Sequence, residues 1–203
     1  MYTNADQLTR EKLSQLISRV SDQKPHIVLV NEIKPKNTTK QWNALDFGLP
    51  NFTPHPVNID SKNGRGLITY VNSALDNHVT KLEVEDPLSS EVCWLSISLR
   101  GNDKLLLGHI YRNPSHPDNH EVLRKHISST LHNLGKAHSH HCICGDFNYK
   151  NIDWKNDSAP GLEDHDGGDM SEEAKFLELT KDLFRTQHVK KITGTRGRDE
   201  PSF

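Results

Sequence analysis

Three short apolar runs in this chain each break off at a polar side chain. That pattern limits the fold more than any other feature. Residues 26–31, HIVLVN, stop at Glu32. Residues 104–112, KLLLGHIYR, turn polar at Tyr111 and Arg112. Residues 141–144, HCIC, stop at Gly145, Asp146, Phe147 and Asn148. Short continuous apolar runs read as strands, and 26–31 has the look of one buried on both faces. Each run therefore belongs to a sheet and delivers polar groups at its end.

The remaining pattern fills in around these strands. Leu13, Leu16, Ile17 and Val20 recur at helical spacing, so a helix is expected over 5–20, capped by Asn4 or Asp6. A second helix is expected over 119–134, where Leu123, Ile127, Leu131 and Leu134 share a stripe and Asp118 with Glu121 has capping-box spacing. A third runs over 171–184. Further strands are read at 66–72, 79–84, 93–99 and 186–192. Cys93, Leu95 and Ile97 alternate with polar neighbours, a strand buried mainly on one face. The proline-rich stretch 34–66 reads mostly as loop with one short strand. Three helices are too few to cover both faces of one parallel sheet. Two packed sheets with helices outside are the expected α/β arrangement, with strand ends and loops gathered along one edge.

Composition excludes several classes. At 203 residues the chain fits one domain, with enough length for a sizeable core. It is polar, with a mean hydropathy of -0.73. No run approaches the roughly 18 apolar residues of a membrane span. The opening MYTNADQLTR lacks the apolar region of a secretory signal, so an intracellular, non-secreted protein is expected. The net charge of -2 argues against general nucleic-acid binding, so any such contact must be local. Cys93, Cys142 and Cys144 are too few for a disulfide framework, and a reducing compartment is expected. Cys142 and Cys144 should share one face of a strand. His138, His140 and His141 precede them, but the spacing fits no standard zinc pattern. The acidic loop 156–169 does not match an EF-hand and reads as solvated.

The strand ends carry the chemistry. Carboxylate and carboxamide oxygens suit Mg²⁺, which keeps waters and substrate phosphate as its other ligands. Glu32 and Asp146 supply such oxygens. Asp146 and Asn148, two apart, address one site if the chain stays extended. Arg112 has the fork geometry for a phosphate. Each has a plainer reading as well: a solvated Glu, a strand ending in a turn at Arg112, and an Asx turn at Asp146-Phe147-Asn148.

Taken in order, these segments resemble the endonuclease/exonuclease/phosphatase superfamily, most closely the endonuclease domain of non-LTR retrotransposons. Residues 2–8 resemble the Asn-containing start of those domains, and residues 25–32 resemble their PDIIxxxE segment. GLITYV at 66–71 is similar to GGxxIYV. GHIYRNPS at 108–115 resembles xxIYRxPS, and GDFN at 145–148 with IDW at 152–154 resembles GDFNxxxIDW. The resemblance implies a four-layer α/β sandwich of two mixed sheets and metal-dependent hydrolysis of phosphodiesters, with Mg²⁺ or Mn²⁺. It implies a DNA-nicking enzyme, with DNA as substrate and a reverse transcriptase as accompanying domain, and leaves the nucleus open as its place. By position, Glu32 would ligate the metal and Asn4 would contact metal-bound phosphate or water. Tyr111 would donate to the scissile phosphate, Asp146 would orient or deprotonate the attacking water, and Asn148 would hold a phosphate oxygen.

The resemblance also carries a departure. Residues 193–203 resemble the stretch before the family's LDLxxT strand, and neither that strand nor the closing Ser-Asp-His occurs here. The expectation is one domain over 1–203, incomplete at its C-terminus and lacking its last strands, with hydrolysis impaired. The alternatives are a non-catalytic remnant acting as an interaction module, or a phosphoesterase acting on a small molecule.

Overall fold

The computed structural model describes residues 1–38, 40–62, 64–84, 90–115, 119–161, 170–183 and 186–188. Among the described residues, eight strands form two four-stranded mixed sheets. The first has the order β1 (Tyr2–Asn4), β2 (Ile27–Asn31), β4 (Leu67–Asn72), β3 (Phe52–Val57). The second runs β5 (Val79–Leu82), β6 (Ser90–Ser98), β7 (Lys104–Arg112), β8 (His140–Asp146). Each has one parallel pair, β1 with β2 and β7 with β8, and its other pairs are antiparallel.

Strand alternation sorts the side chains into layers. Val28, Val30, Ile68 and Tyr70 face helix α1 (Arg10–Gln23), whose Leu16 and Val20 cover them. Leu29, Leu67 and Val71 turn the other way and meet Cys93, Leu95, Ile97 and Leu107 between the sheets. On the far face of the second sheet, Trp94, Leu106 and Ile110 lie under Leu123, Ile127 and Leu131 of α2 (Asn119–Leu134) and Phe176 and Leu177 of α3 (Glu172–Asp182). The order is helix, sheet, sheet, helices: the expected four-layer sandwich. Burying each large apolar side chain contributes about 2 kcal/mol, so three separate cores share the stabilisation. Among the described residues, no helix is long and apolar enough to cross a membrane.

Several expectations change. α1 starts at Arg10, capped by Thr9, whose hydroxyl accepts from Lys12 N at 3.3 Å. It does not start near residue 5, because Ala5, Gln7 and Leu8 donate their N–H groups to the carbonyls of Asn31, Glu32 and Ile33. Residues 5–8 thus extend the β1–β2 pairing, and Asn4 is a strand residue, not a helix cap. β6 is buried on both faces, not one, because Trp94 is fully buried against the helices. The strand in the proline-rich stretch is β3. Pro54 and Pro56 fit there because β3 is an edge strand, and their two-residue spacing points both missing N–H positions away from β4. Asp118 and the expected strand end 189–192 lie outside the described residues.

Cys142 and Cys144 do share a face, with their sulfurs 3.5 Å apart. His138 bonds to Leu134 O and Ser96 Oγ, and His141 to Gly135 O. These contacts tie the α2–β8 connection to the sheet.

β6 and β7 pack closely where Gly108 lies opposite Trp94. A Cβ added at Gly108 would stand 2.6 Å from Trp94 Cζ3. Gly108→Ala is therefore expected to lower the unfolding free energy by about 1–3 kcal/mol through overpacking. Urea unfolding followed by Trp fluorescence checks this.

Candidate active site

The parallel pairs bring the polar strand ends together. Register places Asn4 beside Asn31 in the first sheet and Tyr111 beside Asp146 in the second. Asp146 has the same strand parity as Cys142 and Cys144, so it faces the first sheet. The backbone then turns sharply. Glu32 and Asn148 both take left-handed φ values of 55°. Gly145 has φ 150°, and a Cβ there would lie 1.8 Å from Ile110 O. Only glycine allows β8 to approach β7 this closely just before Asp146.

One carboxamide joins the two sheets. Asn4 Nδ2 donates to Glu32 Oε1 at 3.0 Å and to Asp146 Oδ2 at 3.1 Å. Two oxygens that accept from one nitrogen at those distances lie no more than about 6 Å apart. Asp146 Oδ1 accepts from Asn148 N at 3.0 Å, so the plainer Asx-turn reading holds, and the turn helps orient the carboxylate. The Tyr111 hydroxyl lies beside the Glu32 carboxylate. Burial, and then the neighbouring carboxylate charge, push its pKa well above the usual tyrosine range. The phenol keeps its proton at neutral pH and remains a donor.

Asn4, Glu32, Tyr111, Asp146 and Asn148 thus meet at one end of the sandwich. Arg112 does not join them as a phosphate fork. It is 3% exposed. Its Nε donates to Phe147 O at 2.6 Å and its Nη2 to Asn148 O at 2.8 Å, with the guanidinium 4.5 Å over the Tyr149 ring. Asn148 Nδ2 returns a bond to Arg112 O at 2.8 Å. Strand parity sends Arg112 to the helix side of the sheet, where it fastens the loop carrying Asn148.

Two charged residues near the site escaped the sequence reading. Arg65 Nη2 lies 2.8 Å from Glu32 Oε2 and 2.7 Å from Asp6 Oδ1. That hydrogen bond holds the Asp6 carboxyl below its ordinary range. Arg65 sits between Gly64 and Gly66, with φ values of 70° and 72°. Glu91 supports this turn: its Oε1 accepts from Gly66 N at 2.8 Å and Asn58 Nδ2 at 3.3 Å. Burial pushes the Glu91 carboxyl up to about 7. The available signal was Gly-Arg-Gly directly before an apolar strand, a cation delivered at a strand start.

The donor set near Asn4 is all oxygen and carboxamide, with two carboxylates. That suits a hard cation that keeps most of its waters, as Mg²⁺ does, and not a soft ion that prefers sulfur or imidazole. Among the described residues no group of three or more His, Cys, Asp and Glu side chains forms a metal-binding cluster. Two carboxylates are within the usual number for Mg²⁺, so the residues present fit such an ion.

The profile of the Endonuclease/Exonuclease/phosphatase family matches residues 2–201. No curated protein matches the chain. Among solved structures, AP endonuclease LMAP from Leishmania major is similar with a TM-score of 0.59 and 13% identity, over 89% of this chain and 65% of that one. Humanized D. rerio TDP2 aligns with a TM-score of 0.49 and 18% identity, over 79% of this chain and 71% of that one. D. rerio TDP2 complexed with single strand DNA product aligns with a TM-score of 0.45 and 16% identity, over 71% and 57%. At these identities the Leishmania enzyme establishes a common fold.

Glu91 yields a pH prediction. Its folded-state pKa lies above the ordinary value of 4.5. The protonated form therefore contributes stability below pH 4.5 that is lost as pH rises towards 7. Glu91→Gln should gain on wild type by on the order of 2 kcal/mol between pH 5 and pH 8. Urea unfolding of both proteins at the two pH values measures this. An equal pH dependence in the two proteins contradicts it.

Proposed function

We propose that this chain, which belongs to the endonuclease/exonuclease/phosphatase family, hydrolyses DNA phosphodiesters with Mg²⁺ or Mn²⁺ at the Glu32–Asn4–Asp146 site. Members of this family typically hydrolyse phosphodiester bonds with a metal. The observation that carries the reading is the Asn4 amide touching both carboxylates, one from each sheet.

The contacts support the following roles. Glu32 would hold the cation, with Asn4 beside it. When bound, the cation supplies charge stabilisation at the phosphoryl oxygens. Asp146 has one oxygen fixed by Asn148 N and the other turned to Asn4, a geometry suited to orienting a water or accepting its proton. Tyr111 stays protonated and donates towards developing negative charge. Asn148 uses one N–H on Arg112 O and keeps another for a phosphate oxygen. Arg112 acts at one remove, by fixing the Asn148 loop.

An AP endonuclease with the same fold favours DNA as the substrate. The motif order, including GDFN and IDW, favours a retroelement nicking domain spanning 1–203. In that reading a reverse transcriptase accompanies it and the enzyme reaches nuclear DNA. Ile152 and Trp154 of the IDW segment contribute to the core beneath α3, so their role is to seat the loop after Asn148.

Nicking of supercoiled plasmid tests the proposal. Slow Mg²⁺-dependent nicking is expected. Asp146→Ala and Glu32→Gln should each lower it by about a hundredfold or more, and Tyr111→Phe by about tenfold or more. Nicking that persists in a chelator, or survives Asp146→Ala, overturns the reading.

A further inference from the structure

Arg65 has an odd place for a cation. It is 7% exposed; its Nη2 donates to Asp6 Oδ1 and forms an ion pair with Glu32 Oε2 at 2.8 Å. Its Nε and Nη1 are buried with no hydrogen-bond partner. A guanidinium with two donor groups unsatisfied is held there by what its third group does. Two left-handed glycines and the Glu91 carboxylate build the turn that aims it at Glu32. Glu32 itself has a left-handed backbone, fastened by Ile33 N to Gly66 O at 3.1 Å and Lys34 N to Arg65 O at 2.7 Å. The carboxylate and its counter-cation are therefore parts of one rigid unit.

We infer that Arg65 is a positioning residue that holds a positive charge on Glu32 Oε2, so that this carboxylate offers a cation only Oε1, whose other partner is the neutral Asn4 amide. The inference rests on the reading of Glu32 as a metal ligand. Its consequence is selectivity. Mg²⁺ takes about six ligands in a strict octahedron, keeps several waters and is satisfied by single carboxylate oxygens. Ca²⁺ takes about six to eight oxygens and gains from a carboxylate that binds through both. A guanidinium on Oε2 withholds the second oxygen and so disfavours Ca²⁺. Asp6 is largely solvent-exposed on the other side of the guanidinium and helps hold it in place.

The test measures binding, not turnover. Mn²⁺ bound to the whole chain is followed by electron paramagnetic resonance, and displaced with Mg²⁺ or Ca²⁺. In Arg65→Met the ratio of Ca²⁺ to Mg²⁺ affinity should rise about tenfold or more over wild type. Arg65→Lys, which keeps a cation at the site, should return the ratio towards wild type. A merely structural role for Arg65 would weaken both cations together and leave the ratio unchanged, and that result overturns the inference. Circular dichroism establishes that each variant is folded. If Arg65→Met does not fold, Asp6→Asn decides, because it leaves the guanidinium to Glu32 alone. The ratio should then stay at or below wild type, and a rise overturns the inference. Failure of wild type to bind Mn²⁺, or binding indifferent to Glu32→Gln, removes the metal reading itself and the inference with it.

Discussion

The bond pair from Asn4 Nδ2 to Glu32 Oε1 and Asp146 Oδ2 joins the two sheets at their functional end. Carboxylates at such separation repel each other, and a shared donor between them offsets part of that repulsion. The donor reaches both only because β1 is a strand parallel to β2. A helix beginning at residue 5 would carry Asn4 away from the sheet. The backbone bonds of Ala5, Gln7 and Leu8 to the end of β2 and the two residues after it are therefore part of the site, although none of their side chains is.

The site is costly to hold. Left-handed backbone at Glu32 and Asn148, two non-glycine residues, costs roughly 1–3 kcal/mol each. Glu91 and Lys34 are ionisable residues with almost no exposed surface. These costs are offset by local bonding that leaves few alternatives. Lys34 Nζ donates to Ser61 O at 2.6 Å, Glu91 accepts from the Gly66 backbone, and Arg112 and Asn148 exchange bonds across the β7–β8 ends. Three apolar cores behind the site keep the strands in register while the polar ends carry strain.

β2 and β7 were legible because HIVLV and KLLLGHI are short apolar runs, each stopped by polar residues, which suits a strand in a sheet interior. The helical stripes of α1 and α2 were legible for a similar reason, since Leu16, Val20, Leu123 and Ile127 recur at the spacing of one face. The start of α1 was not. Asn4, Asp6 and Thr9 are all good caps by residue type, and pairing with β2 chose Thr9. Arg112 looked like a phosphate ligand by chemistry, and strand parity placed it on the helix side. Arg65 was read only as part of a turn.

Apolar periodicity and polar run ends are local properties, so the strand-end residues and the layered class of fold were legible in the chain; that Glu32, Tyr111, Asp146 and Asn148 serve one site was an expectation of the ordered motifs and their resemblance to the family. Tertiary structure alone decided which charges are partners. Arg65 meets Glu32, and Arg112 turns to the carbonyls of Phe147 and Asn148, through register and parity between segments 33 and 35 or more positions apart. The physical reason is that the strength of an ion pair or hydrogen bond depends on distance and burial. Both are set by how the two sheets stack, and no single segment carries that information.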